Sequence, residues 1–183
     1  NHNYYYGEMS RNAMIKLLEL IENNSFKKTI NLAKTTALIT DYQFKYAFSN
    51  RRPAFKILLE LLQNEVALDF GCGLGIVTFH LAPLFKKVYA VDLTKERAEF
   101  TYLRAKQYGY DNIIPLCAGD SNRLPFKDEC FDCIVLNGVL EWVAENKEGD
   151  VFGIQKEFLA EICRILRSNG VLYIGIENRY GYK

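Results

Sequence analysis

The sequence predicts an α/β, doubly wound domain built on a mostly parallel sheet, and three observations predict it. Short apolar runs near 66–70, 88–92, 112–117, 132–137 and 171–176 alternate with helical segments, the pattern of a sheet covered on both faces. The first run, Val66-Ala67-Leu68-Asp69-Phe70, passes straight into Gly71-Cys72-Gly73-Leu74-Gly75, whose alternate glycines let the backbone bend tightly and approach a ligand. The second, Val88-Tyr89-Ala90-Val91, ends on Asp92, where open α/β sheets of this kind present a carboxylate to a ribose about 20 residues after the glycine turn.

The elements follow in order. Ser10 can cap a helix carrying Met14, Leu17, Leu18 and Ile21 at near-helical spacing. A second helix is expected from about residue 26 to 38, and Pro53 can begin a third with Phe55, Ile57, Leu58, Leu61 and Leu62 as its buried side. The aromatic residues Tyr4, Tyr5, Tyr6, Tyr42, Phe44, Tyr46 and Phe48 suit core or cap packing better than acceptor binding. After the glycine turn, Ile76 to Phe85 reads as an apolar helix whose first amides face the ligand. Thr94 caps the helix that begins Lys95-Glu96-Arg97. Gly119-Asp120-Ser121 favours an Asx-type turn at a strand end. Asn169-Gly170 suits a turn that needs positive φ before the last strand.

Spacing in the glycine turn separates two cofactor classes. A dinucleotide fingerprint has G-x-G-x-x-G, whereas this chain has G-x-G-x-G with Asp69 two positions before the first glycine. The segment resembles the first motif of class I S-adenosylmethionine (SAM)-dependent methyltransferases, (D/E)-x-G-x-G-x-G, at Asp69, Gly71, Gly73 and Gly75. Four later segments fit the same family in the same order: Asp92 after the second strand, Gly119-Asp120-Ser121 after the third, Phe131-Asp132 opening the fourth, and the Leu166-Arg167-Ser168-Asn169-Gly170-Val171-Leu172 region. The resemblance covers Val66 to about Ile176. It implies a Rossmann-like sheet of visible order 3-2-1-4-5 with the site at the switch between strands 1 and 4. It also divides the chain into an N-terminal helical cap region, 1–64, and a SAM-binding core, 65–183. A full member adds strands 6 and 7 beyond Lys183, so the sequence is expected to be a C-terminally truncated piece.

The resemblance also implies roles. Asp69 and the turn residues Gly71, Cys72, Gly73 and Gly75 would hold the cofactor, with Asp92 accepting both ribose hydroxyls and Leu93 lying against the adenine. Asp120 would accept from the adenine amino group, the Ser121 backbone would reach a ring nitrogen, and Asn137 would border the methionine part. Asp132 is expected to hold neighbouring backbone. Many relatives carry histidine where this chain has Trp142, which leaves Glu141, a few residues past the fourth strand, as the nearest candidate general base. The expected reaction is in-line methyl transfer from SAM, giving S-adenosylhomocysteine (SAH), to a small-molecule or glycan-related acceptor. The glycan class follows from Glu177-Asn178-Arg179-Tyr180-Gly181, which resembles a segment of bacterial methyltransferases associated with polysaccharide or glycan biosynthesis. A SAM-binding regulatory or partner module without transferase activity is the alternative, and an NAD-dependent oxidoreductase is disfavoured by the glycine spacing.

Composition narrows the rest. At 183 residues, 49% hydrophobic and net charge +1, the chain can bury one sizeable core. No apolar run approaches the ~20 residues of a membrane span. Lys27-Lys28, Arg51-Arg52 and Lys86-Lys87 are short pairs among acidic residues, so nucleic-acid binding is not expected. Five cysteines in unlike settings form no disulfide framework, and Cys130-x-x-Cys133 lacks a second pair at ligand spacing, so neither metal nor redox chemistry is expected and a reducing cytoplasm is the simplest location. His80 falls in the helix after the glycine turn and is expected to pack or face solvent.

Overall fold

The computed structural model describes residues 9–49, 52–58, 65–145 and 147–176. Five strands form one sheet, β1 Val66–Phe70, β2 Lys87–Asp92, β3 Ile113–Cys117, β4 Phe131–Asn137 and β5 Leu166–Gly175. Their order is β3-β2-β1-β4-β5 and every pairing is parallel. Pro115, which has no N–H to give a ladder, sits in the edge strand β3.

Both faces of the sheet are buried, which explains why the strands read as continuous apolar runs rather than alternating ones. Ala67, Val88, Ala90, Cys133 and Val135 point into one core with Ile76, Val77, Leu81 and Phe85. Their neighbours Leu68, Val91, Ile134 and Leu136 point the other way, onto Ile162 and Ile165 of α6 (Val151–Ile165). Both faces are therefore filled by a period of two along each strand.

The helix after the glycine turn is much shorter than the Ile76–Phe85 run suggested: α4 is Thr78–Leu81. Beyond it the backbone turns, and Asn112 Nδ2 donates to the Ala82 and Phe85 carbonyls at 2.8 and 2.9 Å, which satisfies acceptors a longer helix would have used. The long helix of this half is α5, Lys95–Tyr108, closed by Gly109 at φ 70°.

Ahead of the sheet, α1 (Arg11–Asn23) starts at Ser10, whose hydroxyl accepts from Ala13 N–H, and buries Met14, Leu17 and Ile21 as its spacing requires. Helix α2 is Phe26–Thr35, and α3, Asp41–Phe48, opens with a capping box between Thr40 and Gln43. These helices share a core with Leu74 of the glycine turn and Phe100 of α5. Gln107 ties them down, donating to the Ile21 and Asn24 carbonyls and accepting from Phe26 N–H. The helix expected at Pro53 is a 3-10 turn, Arg52–Leu58. Its tighter winding breaks the 3.6-residue stripe: Phe55 stacks on Tyr173 at 3.7 Å, but Leu58 is 68% exposed. Leu61 and Leu62 lie outside the described residues, as do Tyr4, Tyr5 and Tyr6.

One turn is absent. Asn169 and Gly170 lie inside β5, and neither has positive φ. Phe131 pairs with Leu166 and Cys133 with Val171, so the segment is absorbed as an irregularity against β4. Gly170 is needed for space rather than angle, since a Cβ there would meet Leu166 Cδ1 at 2.6 Å.

Candidate cofactor site

Because all strands run parallel, Phe70, Asp92 and Asn137 reach the same sheet edge, and there a cavity of about 680 Å³ opens. That is the size range of small-molecule sites. Its wall includes Asp69, Gly71, Cys72, Gly73, Asp92, Leu93, Asp120, Ser121 and Asn137. Sequence reasoning thus places nine of its cofactor residues on one surface. Two of its choices fall elsewhere. Gly75 is buried behind the wall, where a Cβ would press on Phe79 at 3.0 Å and Thr101 Oγ1 at 3.3 Å. Glu141 does not line the cavity, although Trp142 and Val143 beside it do.

The glycine turn is held from both sides. Gly71 and Cys72 N–H donate to Val91 O, Gly73 N–H donates to Asp92 Oδ2, and Gly75 N–H donates to Cys72 O. These turn amides are therefore used inside the protein, which leaves them unavailable to a dinucleotide pyrophosphate. From the other side, Thr101 Oγ1 donates to Gly73 O at 3.4 Å and Arg104 Nη1 to Leu74 O at 2.9 Å.

Three carboxylates differ in setting. Asp69 is 2% exposed and accepts from Thr78 Oγ1 at 2.5 Å; burial outweighs that bond and raises its pKa to about 6. Asp92 is also buried, with Oδ1 accepting from Thr94 N–H and hydroxyl and Oδ2 from Gly73 N–H. Thr94 is the N-cap of α5 by position, but its hydroxyl serves Asp92 and makes no cap bond. Asp120 is exposed, next to Gly119, whose Cβ would strike Phe70 Cζ at 2.8 Å.

Asn137 and Arg52 bracket the far side. Arg52 Nη2 donates to Asn137 O at 2.9 Å and Asn137 Nδ2 returns a bond to Arg52 O at 3.3 Å. Arg52 lines the cavity and lies within electrostatic reach of Asp69. Asp132, as expected, serves structure: Oδ2 accepts from Val66 N–H at 2.8 Å and Oδ1 pairs with Arg167.

Several wall residues escaped sequence reasoning. Ile154, Glu157, Phe158 and Glu161 of α6 line the cavity at i, i+3, i+4 and i+7. That spacing marks one helix face and was available as a signal. Glu161 accepts from Leu124 N–H at 2.6 Å, and Arg164 holds it below the usual carboxylate range. Ala47 of α3 reaches the wall as well; of the aromatic cluster expected in core or cap packing, Tyr42 also lines the cavity, whereas Phe44 and Phe48 pack inward. His80 Nδ1–H donates to Ile76 O at 2.8 Å, away from the cavity. The Cys130 and Cys133 pair does not form a disulfide, and no group of ligating side chains suited to a metal occurs among the described residues. No helix among them is long and apolar enough to cross a membrane. Arg179 and its neighbours lie outside the described residues.

Comparison with known proteins agrees with this geometry. The methyltransferase domain family matches residues 68–174. The chain is 32% identical over 132 residues to the uncharacterized protein MJ1123 of Methanocaldococcus jannaschii, covering 72% of this chain and 56% of that protein. It is 32% identical over 105 residues to the malonyl-[acyl-carrier protein] O-methyltransferase of Legionella pneumophila, covering 57% of this chain and 34% of that one. The structure of a putative SAM-dependent methyltransferase from Methanococcus maripaludis superposes with a TM-score of 0.57 at 26% identity, over 72% of this chain and 57% of that one. The chain spans about half or less of the length of these curated relatives. With its sheet order, its acidic residue before a G-x-G-x-G turn and a family match over more than half its length, the chain belongs to the methyltransferase domain family, in the class I SAM-dependent group.

Proposed function

We propose that this domain binds SAM in the sheet-edge cavity and transfers its methyl group to a small-molecule or glycan-related acceptor. The observation that carries the reading is the placement of Asp92 at the carboxyl end of β2, fixed by the Gly73 amide and facing the same cavity as Asp120 and Asn137. Asp92 would take the ribose, Leu93 and Asp120 the adenine, and Asn137 the methionyl end. The wall also suits the cofactor's charge, because Asp69, Asp92 and Asp120 surround a site for a ligand that carries a sulfonium.

When bound, the cofactor supplies an electrophilic methyl group, so the protein's task is to orient it and keep the site dry. Apolar Phe70, Leu74, Ile76, Val139 and Phe158 provide the dry walls. Tyr42, Trp142 and Val143 also line the cavity and would border the acceptor. Glu141 lies off that wall, so base catalysis is not assigned to it. A cytoplasmic location, with its supply of SAM, fits this activity.

Titration calorimetry with SAM, SAH and NAD on the wild type and Asp92→Ala tests the reading. Selective SAM or SAH binding that is lost in the variant supports it and licenses a screen of acceptors for methylated product. Binding of NAD alone, or of none of the three by a folded wild type, sinks it.

A further inference from the structure

The Asp92 carboxylate has little left to offer a ligand. An ionised carboxylate has about four acceptor positions, two on each oxygen. Both on Oδ1 are filled, by the Thr94 N–H and the Thr94 hydroxyl, each at 3.0 Å. One on Oδ2 is filled by Gly73 N–H at 3.0 Å. The Arg97 guanidinium also stands 3.8 Å from Oδ1, crowding that oxygen further. A single acceptor position remains, on Oδ2.

We infer that Asp92 grips only one ribose hydroxyl of the cofactor, and that the Thr94 hydroxyl is the group that denies it the second. This rests on the cofactor reading above and changes what that reading asks of Asp92. Thr94 is a positioning residue. It is 4% exposed and stands at the N-cap of α5, where a threonine ordinarily accepts from the first turn of its helix. Here the hydroxyl donates to the carboxylate instead, and Gly73 N–H fixes the other oxygen. Rotation about the Asp92 side chain is thereby closed off, so the free lone pair has one direction.

The test compares SAH with its 2′-deoxy and 3′-deoxy analogues by calorimetry. In the wild type, one analogue binds about tenfold or more weaker than SAH and the other stays within about threefold, since only one hydroxyl bonds to a charged acceptor. In Thr94→Val the vacated position on Oδ1 accepts the second hydroxyl, and the formerly indifferent analogue falls about tenfold below SAH. Thr94→Ser keeps the hydroxyl and the wild-type pattern. A purely structural role for Thr94 would shift all three ligands together.

Equal losses for both analogues in the wild type overturn the inference, and so does an unchanged pattern in a folded Thr94→Val. Should that variant fail to fold, the wild-type comparison still decides. Absence of SAH binding by the wild type removes the cofactor reading and this inference with it, whereas SAH binding with equal analogue losses removes this inference alone.

Discussion

The Thr78 hydroxyl donates to Asp69 Oδ2 at 2.5 Å, joining the first residue of α4 to the acidic residue that precedes the glycine turn. Asp69 is buried, and burial raises its pKa from 3.8 to about 6 despite this donor and the nearby Arg52 charge. The folded protein therefore holds a proton there that the unfolded chain releases. As pH rises from 4 to above 6, this group costs about 3 kcal/mol of stability. Urea unfolding at pH 4.5 and 7.5 checks it: Asp69→Asn should lose this part of the pH dependence, so the wild type falls relative to the variant at the higher pH. A difference between the two proteins that does not change with pH would contradict the argument.

The three motif glycines are not equivalent. All have positive φ, at 75°, 56° and 81° for Gly71, Gly73 and Gly75. A Cβ at Gly71 would run into Val139 Cγ2, one at Gly75 would press on the Phe79 ring, and one at Gly73 would meet nothing within 4 Å. Backbone strain alone costs an alanine of order 1–3 kcal/mol. Thermal unfolding should therefore rank Gly71→Ala as the most destabilised, Gly75→Ala next and Gly73→Ala least. Gly75→Ala, whose site lies behind the cavity wall, should change SAH affinity less than Gly71→Ala.

Local signals in the sequence were the legible ones. The five strands, the glycine turn and the Asp92 strand end each follow from a short run of residues, and the structure has them at those runs, except that β5 starts earlier, at Leu166. What misled was one local stop passed over and, beyond it, tertiary contacts. The apolar run Ile76 to Phe85 carries its own stop in Pro83, which has no N–H for the helix ladder and follows the end of α4 at Leu81, while Asn112, far along the chain, takes the Ala82 and Phe85 carbonyls. Asn169-Gly170 has the chemistry of a turn, yet pairing with β4 absorbs it, because Gly170 answers to the Leu166 side chain and not to a dihedral. Gly75 carries a motif position and the positive φ that goes with it, yet it lies behind the cavity wall against Phe79. Arg52 could not be recognised from its neighbours, since its role comes from Asn137, 85 residues away.

Thiol reactivity should follow burial. Cys133 is fully buried and its thiol is pushed up to about 12, and Cys72, also buried, is pushed well above the ordinary thiol value. Cys117 and Cys163 are exposed. Thiolate is the reactive form, so brief N-ethylmaleimide treatment of the native protein should label Cys163 and, more slowly, Cys117, whose pKa is also raised by burial. Cys72 and Cys133 should be labelled only after denaturation. Mass spectrometry of the peptides reads this directly, and native labelling of Cys133 as fast as Cys163 would refute it.

Arg104 sets one guanidinium between two parts of the chain. Its Cζ lies 4.2 Å from the Phe26 ring of α2 and 4.0 Å from the Phe79 ring of α4, while Nη1 donates to Leu74 O. Burial lowers its pKa to about 10, and Nε finds no partner among the described residues. The stacking, at up to about 2 kcal/mol per desolvated ring, is thus opposed by the cost of burying the charge. Replacing a buried charge by an apolar side chain of similar length is often close to neutral, and methionine adapts well to a slot between rings. Arg104→Met should therefore change global stability by no more than about 1 kcal/mol, yet weaken SAH binding because Leu74 O loses its donor and the glycine turn loosens. Arg104→Lys keeps the charge but replaces the planar group with a compact, strongly hydrated ammonium. It should destabilise the fold by about 1–3 kcal/mol, more than Arg104→Met. Urea unfolding with and without SAH separates the two effects, and a lysine variant more stable than the methionine one would overturn this account of Arg104.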